Sequence, residues 1–266
     1  MNDLNPVQYV DGIYLKRNDL YTIGGCNGGK AESADKLIRD GIAKGYDTFV
    51  TSGSRYSPQC LIISNLCEYY KVKCHVFMPL GDDTKVITAL KNNANTTLHQ
   101  PYRQGSFQNV LNSLADKYAK EVGGCLIPFG MRDRRNIEAI AKQCENIPDV
   151  CKRLVVPVGS GMTLCGILHG LAQIERTDIK VVGVITGGKP QETLDKFAPK
   201  PLLIGKPVPK YELIWYGGEN IIPRNRYFMR TDYKIGDVQL DPIYEGKCFE
   251  VLLPNDLFWI VGYHEI

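Results

Sequence analysis

Short apolar runs alternate with stretches of helical periodicity from Ile13 to Thr186, and few architectures accommodate that order. Strands are predicted at Ile13–Lys16, Thr48–Thr51, Cys74–Met78, Thr96–His99, Leu126–Pro128, Leu154–Val158 and Lys180–Thr186. Helices are predicted over 31–43, 60–70, 85–92, 107–122 and 135–147. Repeated β-α alternation implies largely parallel sheets with helices on both faces. In such sheets ligands bind beyond the carboxyl ends of the strands, here in the loops after Thr51 and Val158. From Pro190 to Pro223 the pattern turns irregular and Pro-rich, and no internal repeat is visible. A chain of 266 residues can bury a substantial core, as one large domain or as two joined lobes.

The most informative of these loops is Gly159-Ser160-Gly161-Met162-Thr163, between the strand Leu154–Val158 and the helical pattern Leu164–Leu171. The first N–H groups of a helix have no partner inside it, and the helix dipole adds partial positive charge there. Gly lets the backbone approach an anion closely, and Ser160 and Thr163 add hydroxyl donors. No Lys follows in the G-K-[ST] arrangement, which excludes a nucleoside-triphosphate P-loop. Gly166 comes too late after Gly161 for a G-x-G-x-x-G fingerprint. The loop reads as a cradle for a small phosphate monoester. A strand–helix turn that binds nothing would carry the same residues.

Three further segments carry chemistry. Gly24-Gly25-Cys26-Asn27-Gly28-Gly29-Lys30 reads as a flexible Gly-rich loop whose Lys opens a helix. The dipole and partial burial there favour the neutral amine, the form that attacks aldehydes such as pyridoxal phosphate. A solvent-facing Lys after a loop is the plain alternative. Ser52-Gly53-Ser54-Arg55-Tyr56-Ser57-Pro58-Gln59 concentrates donors suited to a carboxylate at a strand end and helix start. Capping by Ser57 with Pro58 at the first helical position accounts for part of the same pattern. Asp241-Pro242-Ile243-Tyr244-Glu245-Gly246-Lys247, read bare, is a turn leading into a helix over 246–253.

Composition narrows the classes. Hydrophobic content of 44% and charged content of 23% are ordinary for a globular protein. A net charge of +3 is too small to mark a nucleic-acid binder, although Arg132, Arg134 and Arg135, then Arg224, Arg226 and Arg230, form local basic clusters. The first residues show neither the basic nor the apolar region of a signal peptide, and no apolar run reaches membrane-spanning length. Nine dispersed Cys without a C-x-x-C pair point to reduced thiols, and four His show no metal-ligand spacing. A cytoplasmic, metal-free protein with no membrane partner is expected.

Ile13–Leu20, Lys30, Thr51-Ser52-Gly53, Ser57, the Gly159–Thr163 loop and Asp241–Lys247 occur in one order. That order resembles the 1-aminocyclopropane-1-carboxylate deaminase and D-cysteine desulfhydrase family of pyridoxal-phosphate enzymes, with Asp241–Lys247 as the most specific match. The resemblance runs from about Ile13 to Leu253, with a poor match from Pro190 to Val238. It implies an α/β fold: two lobes in three-layer αβα, tryptophan-synthase-β-like (fold type II), shortened at the C-terminus. Residues 1–33 and 133–266 would form the large cofactor-binding lobe, and 34–132 the small lobe with the substrate loop. The implied cofactor is pyridoxal 5′-phosphate, with Lys30 as the Schiff-base lysine and Gly159, Ser160, Gly161, Met162 and Thr163 around its phosphate. Ser57 would touch the substrate carboxylate, Tyr244 would be the active-site tyrosine, and Glu245 would face the pyridine nitrogen.

The implied activity is deamination, elimination or decarboxylation at the α-carbon of a small amino-acid-like substrate. This sequence departs from the family pattern at Gly29 and Pro58, where Asn is usual, and in Val261–Glu265, which stands where a Gly-rich closing segment is usual. Those departures leave two other readings open. One is a decarboxylase-type enzyme acting on an amino-acid group attached to a nucleic-acid base, in a viral DNA-modification pathway. There Arg132, Arg134, Arg135, Arg224 and Arg226 would meet phosphates. The other is a catalytically inactive, cofactor-binding regulatory protein. A homodimer stays open as well.

Overall fold

The computed structural model describes residues 4–101, 107–187, 190–217 and 229–262. They fall into two compact units, one within Met1–Tyr21 and Arg134–Tyr263, the other within Thr22–Asp133. The first unit opens with an antiparallel hairpin, β1 (Val7–Val10) and β2 (Ile13–Arg17). Its two-residue turn, Asp11-Gly12, takes positive φ at both positions (48° and 81°), the geometry that an Asp-Gly pair favours.

The second unit begins with another hairpin, β3 (Thr22–Ile23) and β4 (Cys26–Asn27). Gly24 and Gly25 form its turn at φ 54° and 74°, so the segment expected as a flexible loop is an ordered tight turn. Next come α1 (Gly28–Ala43), β5 (Thr48–Ser52), α2 (Pro58–Tyr69), β6 (Lys73–Phe77) and α3 (Lys85–Asn92). Strand β7 (Thr96–His99), α4 (Gln108–Glu121) and β8 (Cys125–Leu126) complete the unit. The strands pair in parallel in the order β7-β6-β5-β8. Every residue of β5 is buried, which requires cover on both faces. On one face Val50 and Phe77 pack with Ala115 and Ala119 of α4. On the other, α1 approaches so closely that a Cβ on Gly41 would overlap the Phe49 ring.

The chain then returns to the first unit with α5 (Arg134–Lys142), β9 (Arg153–Val158), α6 (Met162–Gln173) and β10 (Lys180–Ile185). There follow α7 (Gln191–Phe197), α8 (Pro201–Ile204), β11 (Tyr211–Trp215), and the short pair β12 (Lys234–Ile235) and β13 (Val238–Gln239). A 3₁₀ helix over Glu245–Val251 leads to β14 (Leu257–Ile260). The sheet order is β1-β2-β14-β9-β10-β11, parallel except for β1. Leu154, Val156 and Val158 enter one apolar core with Leu164 and Leu168 of α6, while Val155 joins Leu15, Leu240 and Phe258 in another.

Several expectations are corrected. The helix expected over 135–147 ends at Lys142, and the turns beyond it bury Cys144 and Ile147. The stretch after Pro190 is not irregular up to Trp215. It holds α7, α8 and β11, the last in parallel register with β10 (Val181↔Tyr211). Pro190 is the N-cap of α7 and Pro201 opens α8, positions where a missing N–H costs little. Residues 218–223 lie outside the described residues. The helix expected over 246–253 is a 3₁₀ helix starting one residue earlier. The functional division of residues 1–33 and 133–266 from 34–132 is a separate reading: by packing alone, residues 22–33 fall within the compact unit Thr22–Asp133.

Candidate active site

At the carboxyl end of β9, Gly159, Ser160 and Gly161 lead into the twelve-residue helix α6. Gly161 is its N-cap at φ 91°, and a Cβ there would stand 3.2 Å from the Pro190 Cβ. Only glycine takes that conformation without strain. No side chain caps α6 and no acidic residue lies in its first turn, so its end amides and dipole are uncompensated by side chains. Ser160 and Thr163 are half-buried beside it. Thr193 of α7 packs against the same turn, its Cβ 3.5 Å from where a Gly161 Cβ would be. Its buried hydroxyl has no hydrogen-bond partner among the described residues.

Tyr244 reaches this loop from a distant part of the chain. Asp241 Oδ1 accepts hydrogen bonds from the Ile243 and Tyr244 amides, both at 2.8 Å, and its carbonyl accepts from Gly246 N at 2.9 Å. That side-chain turn sets Tyr244 at the entry of the 3₁₀ helix. Its Cε1 lies 3.4 Å from the position of a Cβ on Gly159, so the Gly159–Thr163 loop and the Tyr-Glu turn form one locus within the first unit.

Glu245, the next residue, is fully buried. Its Oε1 accepts from Val261 N (2.8 Å) and Gly262 N (3.0 Å), while Oε2 has no partner among the described residues. Burial, together with the charge of Asp241, pushes its carboxyl up to about 8. With Oε1 held by two N–H donors, the proton belongs on Oε2. Two residues further, the Lys247 ammonium is also buried and donates to the Thr186 carbonyl at 3.4 Å. Burial lowers its pKa to about 8.

In the second unit, Lys30 is the third residue of α1 and half-buried. The N-cap Asn27 is extended and its side chain makes no capping bond, so this helix start too lacks a side-chain cap. Ser57 occupies the N-cap of α2 with Pro58 first in the helix, but the expected capping bond from its hydroxyl is not made. The Ser57 Oγ and the Cys60 Sγ instead both lie against Gly53, 2.7 and 2.6 Å from where a Cβ would stand. Gly53 is therefore required by close approach. The sequence reading gives no role to Gln59, which ties the 52–59 loop down. Its Nε2 donates to the Pro128 carbonyl (3.0 Å) and Thr51 Oγ1 (3.2 Å), and its Oε1 accepts from Gly130 N (2.8 Å). A buried amide two residues after a helix N-cap is the signal it offers. Arg134 and Arg135 open α5, whereas Arg224 and Arg226 lie outside the described residues. Among the described residues no group of His, Cys, Asp or Glu could hold a metal ion, and no helix is long and apolar enough to cross a membrane.

The sequence profile of the pyridoxal-phosphate dependent enzymes matches residues 3–199. The chain belongs to that family. Its cofactor is accordingly pyridoxal 5′-phosphate, and the chain is an enzyme of that class. A 1-aminocyclopropane-1-carboxylate deaminase of Rhizobium leguminosarum bv. viciae is 25% identical over 275 residues, covering 91% of this chain and 80% of the relative. A putative deaminase of the same name from Pyrococcus furiosus is also 25% identical, covering 93% and 83%. The crystal structure of an ACC deaminase homologue superposes with a TM-score of 0.74 at 22% identity, over 97% of this chain and 89% of that one. Threonine deaminase isoform 2 of Solanum lycopersicum gives 0.62 at 12% identity, over 98% and 84%. The fold is thus the tryptophan-synthase-β-like fold of type II pyridoxal-phosphate enzymes.

Proposed function

We propose that this pyridoxal-phosphate enzyme acts at the α-carbon of a small amino acid and releases its amino group by deamination or elimination. The observation that carries the reading is the packing of Tyr244 on Gly159, which joins the phosphate loop to the Tyr-Glu turn in one place. The residues there suit the cofactor. An uncapped helix N-terminus with Ser160, Thr163 and a glycine at positive φ is a donor set for a phosphate. A buried carboxyl oxygen without a partner is suited to a ring nitrogen.

When bound, the cofactor supplies an electron sink for the pair left on the substrate's α-carbon. In this proposal the amides of the 159–163 loop fix the phosphate, and Lys30 holds the cofactor covalently. Glu245 shares the proton on Oε2 with the ring nitrogen. The Tyr244 hydroxyl, beside the loop, acts as acid, base or nucleophile. Ser57 presents its hydroxyl to the substrate carboxylate. This assigns cofactor binding to the lobe of residues 1–33 and 133–266 and substrate binding to 34–132. Cytoplasmic residence is part of the proposal, supported by nine buried cysteines none of which is in a disulfide, and so is a homodimer, which light scattering would test. Deamination and elimination are preferred because the relatives named above are deaminases. Nothing found favours decarboxylation, a nucleic-acid-linked substrate or an inactive regulator.

Borohydride reduction of the purified holoenzyme followed by peptide mapping should place the pyridoxyl group on Lys30. A panel including 1-aminocyclopropane-1-carboxylate, D-cysteine and threonine should show ammonia release from at least one member. Labelling at another lysine would remove the assignment of Lys30, and a panel without turnover would remove the reaction class.

A further inference from the structure

The buried cation nearest to Tyr244 and Glu245 in sequence is Lys247, and the reading above gives it no task. Its side chain is 2% exposed. Its Nζ donates to the carbonyl of Thr186 and stands 5.4 Å from the centre of the Tyr216 ring. Thr186 is the residue after β10, and its amide donates to the carbonyl of Val158, the last residue before the phosphate loop, at 3.1 Å. The same ammonium is attracted by Asp241, the carboxylate whose Oδ1 holds the amides of Ile243 and Tyr244. An ammonium buried among apolar side chains persists only where such partners compensate its lost hydration.

We infer that Lys247 is a positioning residue of this enzyme: its ammonium balances Asp241 and ties the turn carrying Tyr244 and Glu245 to the strand ends beside the phosphate loop. The charge matters as much as the tether. Asp241 acts on Glu245 and raises its carboxyl pKa, so removing this countercharge strengthens the action of Asp241. Among the described residues Asp241 and Cys248 interact electrostatically with Glu245, and Lys247 acts on both of those groups. From the segment after β14 it meets the backbone amides of Val261 and Gly262. The inference rests on the proposed pairing of Glu245 with the cofactor ring only for its effect on cofactor affinity.

The test uses the full chain, with and without pyridoxal 5′-phosphate, as K247M, K247Q and K247R. The Glu245 carboxyl is followed by its infrared band, assigned by its loss in E245Q, and cofactor affinity by absorbance titration. K247M and K247Q should raise the midpoint of that band by about one pH unit, the scale of losing a nearby opposite charge. Cofactor dissociation constants should rise about tenfold, which corresponds to one lost charged contact. K247R, which keeps the charge, should restore the midpoint. If K247M does not fold, K247Q retains a hydrogen-bond donor for Thr186 and carries the comparison. Unmoved midpoint and affinity in K247Q, with lower thermal stability alone, would make Lys247 a core filler and overturn the inference. If the midpoint moves but E245Q itself binds cofactor like the wild type, Lys247 keeps its role and the pairing of Glu245 with the ring fails.

Discussion

Replacing Glu245 by Gln should change how folding depends on pH more than it changes stability at any one acidic pH. The carboxyl is fully buried with the Asp241 charge nearby, and it titrates at about 8 instead of 4.5. The folded chain holds this proton more tightly than the unfolded one. Its contribution to stability is therefore complete below 4.5, declines as the pH rises, and is lost above 8. At about 1.4 kcal/mol per pH unit, that span sets a ceiling on the order of 5 kcal/mol. Gln keeps an acceptor for the Val261 and Gly262 amides and a donor where Oε2 carries its proton, but never ionises. Lys247 has the opposite sign. Its pKa is lowered from 10.5 to about 8, so it destabilises at lower pH and that cost disappears as the pH rises from 8 to 10.5. This second slope begins near pH 8, at the upper end of the range compared, and so contributes little to the difference between the two proteins. Both tryptophans of the chain, Trp215 in β11 and Trp259 in β14, belong to the unit that holds Glu245. Urea denaturation of cofactor-free protein followed by tryptophan fluorescence thus reads the right unit. Wild type and variant should agree within about 1 kcal/mol at pH 4.5, and the variant should lead by several kcal/mol at pH 8.5. A difference that stays constant between those pH values would refute the buried, proton-holding carboxyl.

Three further outcomes follow from the geometry. Ser160→Ala with Thr163→Val removes two hydroxyl donors but no backbone amide, so the cofactor dissociation constant should rise about tenfold or more with the fold intact by circular dichroism. An unchanged constant would mean the phosphate does not lie there. Tyr244→Phe removes only the hydroxyl and should slow turnover on the order of 10²-fold while leaving the cofactor absorbance as in the wild type. Full activity would dismiss the residue from the chemistry. Lys30→Ala should fold normally, its side chain being half-buried rather than core, yet retain no pyridoxyl label after borohydride reduction, as mass spectrometry would show.

The parallel architecture is legible because a strand covered on both faces must be apolar throughout, as Leu154–Val158 is. What escapes the sequence is structure whose cause is tertiary or whose punctuation reads two ways. Gly24-Gly25 looks like flexibility by composition, yet two adjacent residues at positive φ between short strands are a hairpin turn. Pro190 and Pro201 look like breakers, but each starts a helix. Among the described residues no helix follows the strand β14, so no β-α pattern announces it. It is placed by insertion between β2 and β9, a pairing that no local pattern encodes.

The site divides along the same line. Residue types make the Gly159–Thr163 loop and the Tyr-Glu turn stand out, because glycine, hydroxyls and a titratable pair are chemically conspicuous. The state of Glu245 is set by groups without side-chain signal. Two backbone amides at Val261 and Gly262 occupy one carboxyl oxygen, and burial leaves the other without a partner. Those amides lie in the segment that by sequence stands where a Gly-rich closure is usual. Any residue except proline could supply the amide at 261, so substitutions there should be tolerated as long as the amide remains, whereas position 262, at φ 131°, favours glycine. Val261→Ala should therefore leave the Glu245 infrared midpoint in place, whereas Val261→Pro, which deletes one donor from a buried carboxyl, should raise it by about one pH unit. Equal midpoints in the two variants would show that the amides do not control the proton on Glu245.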